Sequence, residues 1–316
     1  MLSVLQQLNE YKNINITQLH ADYEGLIGSI SAGDIVVYDK YQWKAVIDNP
    51  DTEPQEASPF WVKWAISNKY AALDEKGDTQ SICNATSIIG GVGPFDMVME
   101  FDWVGMDILV LSNIVASEIH IEIKKSTDTD YSTPVWDKVI DTSARTCVTN
   151  WYAYFNMART CPNVDESKGF NILLRPPAVV GTIRITFKQS ATSPESRAGV
   201  VFGGVSHYLG CTLFPVSLGL DDFSQHKADD YGTVVLVRRK SRRIRKLKTV
   251  VEAAEVVRIE SYVKGNLLGR SVLFVGDETP DSIFGGLMIL GFLDDFDANL
   301  TGYGKQQLDF SLVEII

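Results

Sequence analysis

The sequence predicts a mainly β protein in which a small aromatic β-unit precedes a jelly-roll-like β-sandwich and an α+β domain. Three observations indicate this fold class. A Gly-Asp turn opens an aromatic-rich stretch near residue 31. Short apolar strands with turn residues between them recur from about residue 80 to 209, as in sandwiches. Beyond residue 210 the pattern becomes strand, helix, strand, which is typical of an α+β domain.

Length and composition exclude several classes of protein. The 316 residues carry a net charge of −11, with 45% hydrophobic and 22% charged residues. This length suits two or three globular domains, and the composition argues against disorder. The negative charge argues against nucleic acid and anionic membranes as partners. The start MLSVLQQLNEYKN has no signal-peptide pattern, and no apolar run is long enough to span a membrane, so we expect synthesis in a reducing cytoplasm.

Residues 1–30 predict a short helix, Val4 to Tyr11, and a polar connector that docks on another domain or subunit. Residues 31–74 predict the small aromatic β-unit. Its strand Ile35–Tyr38 alternates, and the polar turn Asp39-Lys40 leads into a second strand. A Pro-containing loop then reaches an aromatic closure that ends at Trp64.

Residues 75–209 predict the sandwich, because strand signals follow one another at short intervals. The clearest strand begins at Glu118, with Ile119, Ile121 and Ile123 on one face and polar side chains on the other. We expect two later strands to pair with each other across the Pro176-Pro177 turn. The predicted strands are Phe95–Asp102, Ile108–Ser112, Glu118–Lys124, Trp136–Ile140, Trp151–Phe155, Phe170–Leu174, Thr182–Phe187, Val200–Phe202 and His207–Leu209.

Residues 210–316 predict the α+β domain. Apolar residues between Val250 and Leu268 recur at helical spacing, with glycines near the end of the stretch. The flanking strands are predicted at Tyr231–Arg238, Ser271–Asp277, Gly286–Leu293 and Gln307–Ile315.

Residues that could carry chemistry are scattered. The cysteines, Cys83, Cys147, Cys161 and Cys211, form no C-x-x-C pair, which argues against a zinc site and a disulfide framework. Acidic pairs such as Asp221-Asp222 and Asp294-Asp295 could serve glycoside hydrolysis or bind Ca²⁺, but such turns are usually solvated. The four histidines lack metal-ligand spacing. The sequence therefore predicts no cofactor, no metal and no enzymatic activity.

Two groups of residues are candidates for binding. Aromatic rings in the small unit either stack on sugar rings or form the core of a unit too small for another core. A basic run in an acidic chain, RRKSRRIRKLK, contacts an acidic surface of a neighbouring copy, forms a solvated turn, or contacts phosphate. The candidate ligand-binding residues are Tyr38, Trp43, Trp61 and Trp64, and the candidate interface residues are Arg238, Arg239, Lys240, Arg242, Arg243, Arg245, Lys246 and Lys248.

Eight residues of the small unit fit a known pattern, and they are Gly33, Asp34, Val36, Tyr38, Trp43, Ala45, Pro54 and Trp61. Through them the unit resembles carbohydrate modules of the chitin-binding type. The chain departs from the module where Asp39-Lys40 replaces a Gly-containing turn. This resemblance covers about a tenth of the sequence and implies binding of a host glycan.

A second resemblance is carried by the segments Trp64–Asp74, Leu209–Thr212, Asp222–Ser224, Asp230–Thr233 and Phe274–Asp277. Through them most of the chain resembles tailed-bacteriophage virion proteins. It implies a structural protein located in the virion tail, collar or baseplate, where it connects or anchors fibres. The implied partners are copies of itself and other virion proteins, and closed symmetry is the default for such assemblies. The alternatives are a glycan-binding module for host attachment and a hydrolase that uses paired acids.

Overall fold

In the computed structural model, the strands of the chain are antiparallel and dominate the fold, which confirms the predicted fold class. The structure describes residues 1–5, 7–8, 10–16, 22–23, 29–50, 52–74, 79–83, 96–141, 170–189, 196–228, 234–237, 241–276, 287–300 and 304–314. By internal contacts the chain divides into two compact units. The sandwich unit comprises Leu8–Asp74 and Asp78–Phe202, and the sheet unit consists mainly of Met1–Gln7 and Gly203–Ile316. The finer division into residues 1–30, 31–74, 75–209 and 210–316 stays a prediction.

The elements run as follows in the described residues. The first eleven strands are β1 (Leu2–Leu5), β2 (Asn13–Ile14), β3 (Ile35–Tyr38), β4 (Tyr41–Ala45), β5 (Trp61–Ile66), β6 (Ser81–Cys83), β7 (Met97–Val104), β8 (Ile108–Val115), β9 (Glu118–Lys125), β10 (Trp136–Asp141) and β11 (Phe170–Leu174). The other strands are β12 (Val180–Lys188), β13 (Ser196–Gly204), β14 (Ser206–Tyr208), β15 (Cys211–Asp222), β16 (Gln225–Ala228), β17 (Val234–Val237), β18 (Ser241–Glu252), β19 (Val272–Val275), β20 (Met288–Asn299) and β21 (Lys305–Glu314). The helix α1 (Ala253–Tyr262) continues into a π-helical turn at Val263–Leu267.

The sandwich has the strand order of a jelly roll. One sheet has the order β11-β8-β13-β6, and the other has β10-β9-β12-β7 with β2 added at its edge. When β6 to β13 are counted from one to eight, these orders are 6-3-8-1 and 5-4-7-2. The chain therefore crosses between the sheets repeatedly, as two Greek keys do.

The core of the sandwich comes from strands that alternate between buried and solvent-facing residues. Met99, Phe101 and Trp103 of β7 face inward, as do Ile121 of β9 and Ile185 of β12, and all five side chains are fully buried. This burial of one face, with period two, is what removes apolar area from water in a half-solvated sheet. The alternation predicted from Glu118 onward is confirmed.

The sheet unit packs one helix on a seven-stranded antiparallel sheet with the order β14-β1-β19-β20-β21-β18-β15. Val256 and Ile259 of α1 belong to the same buried cluster as Phe274 of β19 and Phe310 of β21. The predicted helix is confirmed, but it begins at Ala253 because the residues from Val250 to Glu252 are still paired in β18.

Two predictions from the sequence are wrong. The segment after Met1 is the strand β1, and not a helix from Val4, because β14 and β19 offer it hydrogen-bonding edges on both sides. The strands β11 and β12 do not pair with each other across Pro176-Pro177. They lie in opposite sheets, since residues 175–179 connect one sheet to the other instead of reversing direction within one sheet. The predicted strand Trp151–Phe155 lies outside the described residues.

Candidate functional site

The three strands β3, β4 and β5 form the small aromatic unit. Tyr38 pairs with Tyr41, so Asp39 and Lys40 make a two-residue hairpin turn. Asp39 has a φ of 55°, a left-handed conformation that aspartate tolerates better than most residues. The turn that departs from the carbohydrate-module pattern therefore still closes a tight hairpin.

Trp43 and Trp61 fill the core of this unit and are 5% and 3% exposed. The ring of Tyr23 lies edge-on to Trp61 at 5.7 Å between ring centres. The Trp61 indole nitrogen donates a hydrogen bond of 2.7 Å to the carbonyl of Thr52. The half-buried Tyr38 donates its hydroxyl to Glu53 at 2.7 Å. Two of the four predicted ligand-binding residues thus have their rings buried in the core.

Trp64, in contrast, is 58% exposed. It lies on the outer face of the small sheet with Val62 and Val46, which are 52% and 49% exposed. Val62 pairs with Lys44 across the strands, and the Val46 amide donates to the Phe60 carbonyl, so Val46 and Val62 are neighbours on one face. Trp64 lies at a register shift between β4 and β5, and its ring is in contact with Lys44 of the same face. We name Val46, Val62 and Trp64 the Trp64 row.

The margin of the Trp64 row is charged. The Lys44 ammonium lies 5.2 Å from the centre of the Trp64 ring. Nearby on the strand, Lys63 lies 3.5 Å from the centre of the Tyr41 ring and donates to Glu56 at 2.7 Å. The hydrogen bond to Glu56 raises the pKa of Lys63. An apolar centre with a polar rim is the usual anatomy of a protein recognition surface.

The described part of the basic run lies in β18, between β15 and β21. Its first residues are paired within the sheet: Arg242 contacts Asp221 at 3.0 Å, and Arg243 lies 3.8 Å from Glu314. Arg245 is 8% exposed, and burial lowers its pKa. Lys246 and Lys248 are exposed, whereas Arg238, Arg239 and Lys240 lie outside the described residues.

Sequence reasoning missed a polar cluster on the outer face of the sandwich. Arg184 of β12 donates two hydrogen bonds to one carboxylate oxygen of Glu122 on β9, at 2.9 and 2.6 Å. His120 Nε2 lies 2.8 Å from Asp137 Oδ1 on β10. The alternation after Glu118 placed His120 and Glu122 on the polar face, but it could not identify the strands that pair with β9.

A small cavity of about 210 Å³ lies in the sheet unit. Its walls include Tyr208, Cys211, Glu252, Glu255, Arg258 and Lys305. Tyr208 Oη and Cys211 Sγ are 2.8 Å apart, and this hydrogen bond raises the pKa of Tyr208. Cys211 is exposed and Cys83 is buried, while Cys147 and Cys161 lie outside the described residues.

Two further findings concern the described residues alone. They contain no group of three or more His, Cys, Asp or Glu side chains arranged to hold a metal ion. Nor does any of their helices combine the length and the apolar character that crossing a membrane requires. The predictions of no cofactor and no enzymatic activity stay predictions.

Comparison with known proteins does not show a family for this chain. No protein-family model matches the chain, and no curated protein matches it. The chain is similar to the crystal structure of tandem CBM51 modules of Sp3GH98, the family 98 glycoside hydrolase from Streptococcus pneumoniae SP3-BS71. The identity is 10%, the TM-score is 0.24, and the match covers 98% of this chain and 94% of that chain. This weak likeness carries no argument about function, and it gives no support to a virion role.

Proposed function

We propose that the chain is a non-enzymatic structural protein of a tailed-bacteriophage virion, which assembles with copies of itself and with other virion proteins in the tail, collar or baseplate. The virion assignment is based on the resemblance of the sequence segments given above. The assembly role is supported by one structural observation, the exposed Trp64 row.

The Trp64 row favours a protein partner because its neighbours are aliphatic. Val46 and Val62, which are 49% and 52% exposed, extend the apolar surface of the indole along the sheet. Tryptophan is enriched among the residues that dominate binding energy at protein interfaces. The outer edge of β5 also carries no partner strand among the described residues, so it can pair with another chain.

The oligomeric state tests this proposal. We expect light scattering of the purified 35.1 kDa chain to give a closed oligomer, and Trp64→Ala to shift the mass toward the monomer. Leu220→Ala is the matched control, because Leu220 is 71% exposed but lies in the sheet unit. A monomer at tens of micromolar, together with no labelling of phage particles by an antibody to the chain, would exclude a structural role.

A glycan-binding module is the second candidate function, and the exposed indole of Trp64 favours it. The exposed indole offers a sugar a stacking surface, and the Lys44 ammonium, which lies over the ring 5.2 Å from its centre, offers a hydrogen-bond donor. A glycan array decides between the two candidates. Binding by the parent that Trp64→Ala abolishes, with the oligomer mass unchanged, would favour the glycan; no binding by the parent rules it out.

A further inference from the structure

The seven-stranded sheet buries one face under α1 and leaves part of the other face exposed. Leu247 of β18 and Phe310 of β21 belong to the buried cluster that contains Val256 and Ile259 of α1. Because neighbours along a strand point to opposite faces, the residues next to Leu247 and Phe310 lie on the other side of the sheet. On that side, residues that pair directly across β18, β21 and β20 form two rows, Lys246–Ser311–Asp295 and Lys248–Asp309–Asp297. We name these six residues the charged face.

The two signs of charge on the charged face lie on different strands. Lys246 and Lys248 of β18 are exposed, and so are Asp295 and Asp297 of β20. None of these four side chains is in an ion pair with another described residue. Adjacent strands lie about 4.8 Å apart, so the lysines and the aspartates are separated by about 10 Å, with β21 between them. The sheet therefore presents a positive side and a negative side on one solvent-facing surface.

Asp297 is the least compensated charge of the charged face. It lies directly opposite Asp309, and like charges at such positions destabilise a sheet. Asp309 accepts hydrogen bonds from the side-chain amides of Gln307 at 2.7 Å and Asn299 at 3.2 Å. Among the residues that the structure describes, no side chain donates to Asp297. A cation placed over this row from outside the chain would offset the repulsion.

We propose that the charged face is a two-fold interface between two copies of this chain, with Lys246 and Lys248 of each copy over Asp295 and Asp297 of the other. A two-fold axis parallel to β21 exchanges the lysine side with the aspartate side and keeps the order of the rows. Stacked sheets lie about 10 Å apart, so each lysine then faces the aspartate of its own row, and each pair forms twice. A two-fold axis across the strands would instead place lysine over lysine. The charge pattern therefore specifies both the occupant and its orientation.

The partner is a second copy because the charged face is complementary to itself. One rotation matches every charge with its opposite, and two-fold dimers are the commonest closed assemblies. Exposed ion pairs contribute little stability individually, but they set register, specificity and salt dependence. The inference rests on the proposed self-assembly, and it adds a surface in the sheet unit to the Trp64 row of the sandwich unit.

Charge reversal in separate chains tests this interface. One variant of the full chain carries Lys246→Glu with Lys248→Glu, and the other carries Asp295→Lys with Asp297→Lys. Each substitution gives the opposed rows a single sign, so we expect each variant alone to self-associate about tenfold or more weakly than the parent in sedimentation velocity. An equimolar mixture opposes acid to base in every pair. We expect the mixture to recover the association of the parent as a mixed dimer, which a tag on one variant identifies by mass.

A matched control separates the charged face from net charge. Lys125→Glu with Lys138→Glu makes the same change of charge at exposed positions of the sandwich unit, and we expect this variant to associate like the parent. Salt gives an independent measurement, because the Debye length shortens from about 10 Å at 0.1 M to about 3 Å at 1 M. We expect the parent to lose at high salt the association that charge reversal removes.

The outcomes distinguish this inference from the proposed function. If the parent forms an oligomer but both reversed variants associate as strongly, or their mixture does not recover association, the charged face is not an interface and the proposed function is unaffected. Circular dichroism checks that each variant is folded; if a reversed variant is not, Lys246→Gln with Lys248→Gln must still weaken association for the inference to stand. A parent that stays monomeric at tens of micromolar overturns this interface and the proposed self-assembly together.

Discussion

The guanidinium carbon of Arg184 lies 3.8 Å from the centre of the Tyr131 ring, and the same guanidinium donates to Glu122. Tyr131 belongs to the connection between β9 and β10, so this contact holds the connection against the outer face of the sandwich. We expect Tyr131→Ala to lower the free energy of unfolding by about 1–2 kcal/mol, because a cation–π contact and buried ring area are lost. Urea unfolding followed by tryptophan fluorescence measures the change, and Tyr131→Phe is the control that keeps the ring.

We expect the ionisation of Tyr11 to make the free energy of unfolding depend on pH in the alkaline range. Its ring lies 4.8 Å from that of Phe101, and burial raises the pKa of its hydroxyl above the ordinary value. Above about pH 10 the unfolded chain loses this proton while the folded chain keeps it, so the unfolded state binds fewer protons and stability falls as pH rises. One such group contributes a slope of about 1.4 kcal/mol per pH unit.

Replacement of Tyr11 by phenylalanine removes this contribution and keeps the ring. We therefore expect the melting temperature of Tyr11→Phe to fall less steeply than that of the parent between pH 9 and 11. Parallel curves for the two proteins would show that Tyr11 ionises in the folded chain as readily as in the unfolded chain.

We expect alanine substitution of Trp61 and of Trp64 to change stability by very different amounts. Trp61→Ala removes a buried ring and the hydrogen bond to Thr52, and we expect a loss of about 3–5 kcal/mol in the small aromatic unit. Trp64→Ala removes an exposed ring, and we expect a change within about 0.5 kcal/mol. Hydrogen exchange of the amides in β3, β4 and β5 measures the stability change in each variant. A large loss of protection in Trp64→Ala would show that Trp64 supports the fold instead of presenting a surface.

Gly181 and Gly265 differ in the space available for a Cβ atom, so the same substitution can be compared at a crowded and an open position. A Cβ at Gly181 would lie 1.9 Å from the carbonyl oxygen of Lys124 on the neighbouring strand, whereas a Cβ at Gly265 meets nothing within 4 Å. We expect Gly181→Ala to destabilise the sandwich by several kcal/mol, because β12 and β9 must separate. Gly265→Ala should be neutral or stabilise by about 0.5–1 kcal/mol, since it lies in a helical turn. Thermal unfolding of both variants tests the contrast.

Local pattern predicted most of the described sandwich strands, although β6 was not predicted and β13 was predicted only at Val200–Phe202. Phe170–Leu174 has the predicted bounds, and the strand from Glu118 differs by one residue at its end. The strand from Glu118 buries Ile119, Ile121 and Ile123, so alternation in the sequence and burial in the fold have the same cause there. The jelly-roll order agrees with the predicted class, although the pairing of individual strands could not be derived from alternation.

Pairing between distant residues explains the two wrong predictions. The apolar residues of β1 suit a helix or a strand equally well, and its conformation is decided by strands more than two hundred residues away. Likewise, Pro176 and Pro177 indicate a break in hydrogen bonding but not whether the chain stays in its sheet or crosses to the other one.

The candidate site was only partly predictable. Trp43, Trp61 and Trp64 are the same residue type, and composition cannot separate a core ring from a surface ring. Alternation along a strand helps to distinguish core rings from surface rings, since residues three apart in a regular strand point to opposite faces. Alternation from the buried Trp61 would place Trp64 on the outer face, but the register of β4 and β5 shifts at Trp64, so its exposure is shown only by the structure.

The position of β1 also sets an order of events during synthesis. Its four residues are translated well before Val272–Val275, which complete its pairing and follow about 270 residues later. At 5–20 residues per second this delay is about 14–54 s, during which an apolar LSVL segment waits without its ladder. The seven-stranded sheet can therefore close only after Val275 has been translated, and a nascent chain would depend on chaperones or on slow elongation to keep that segment available.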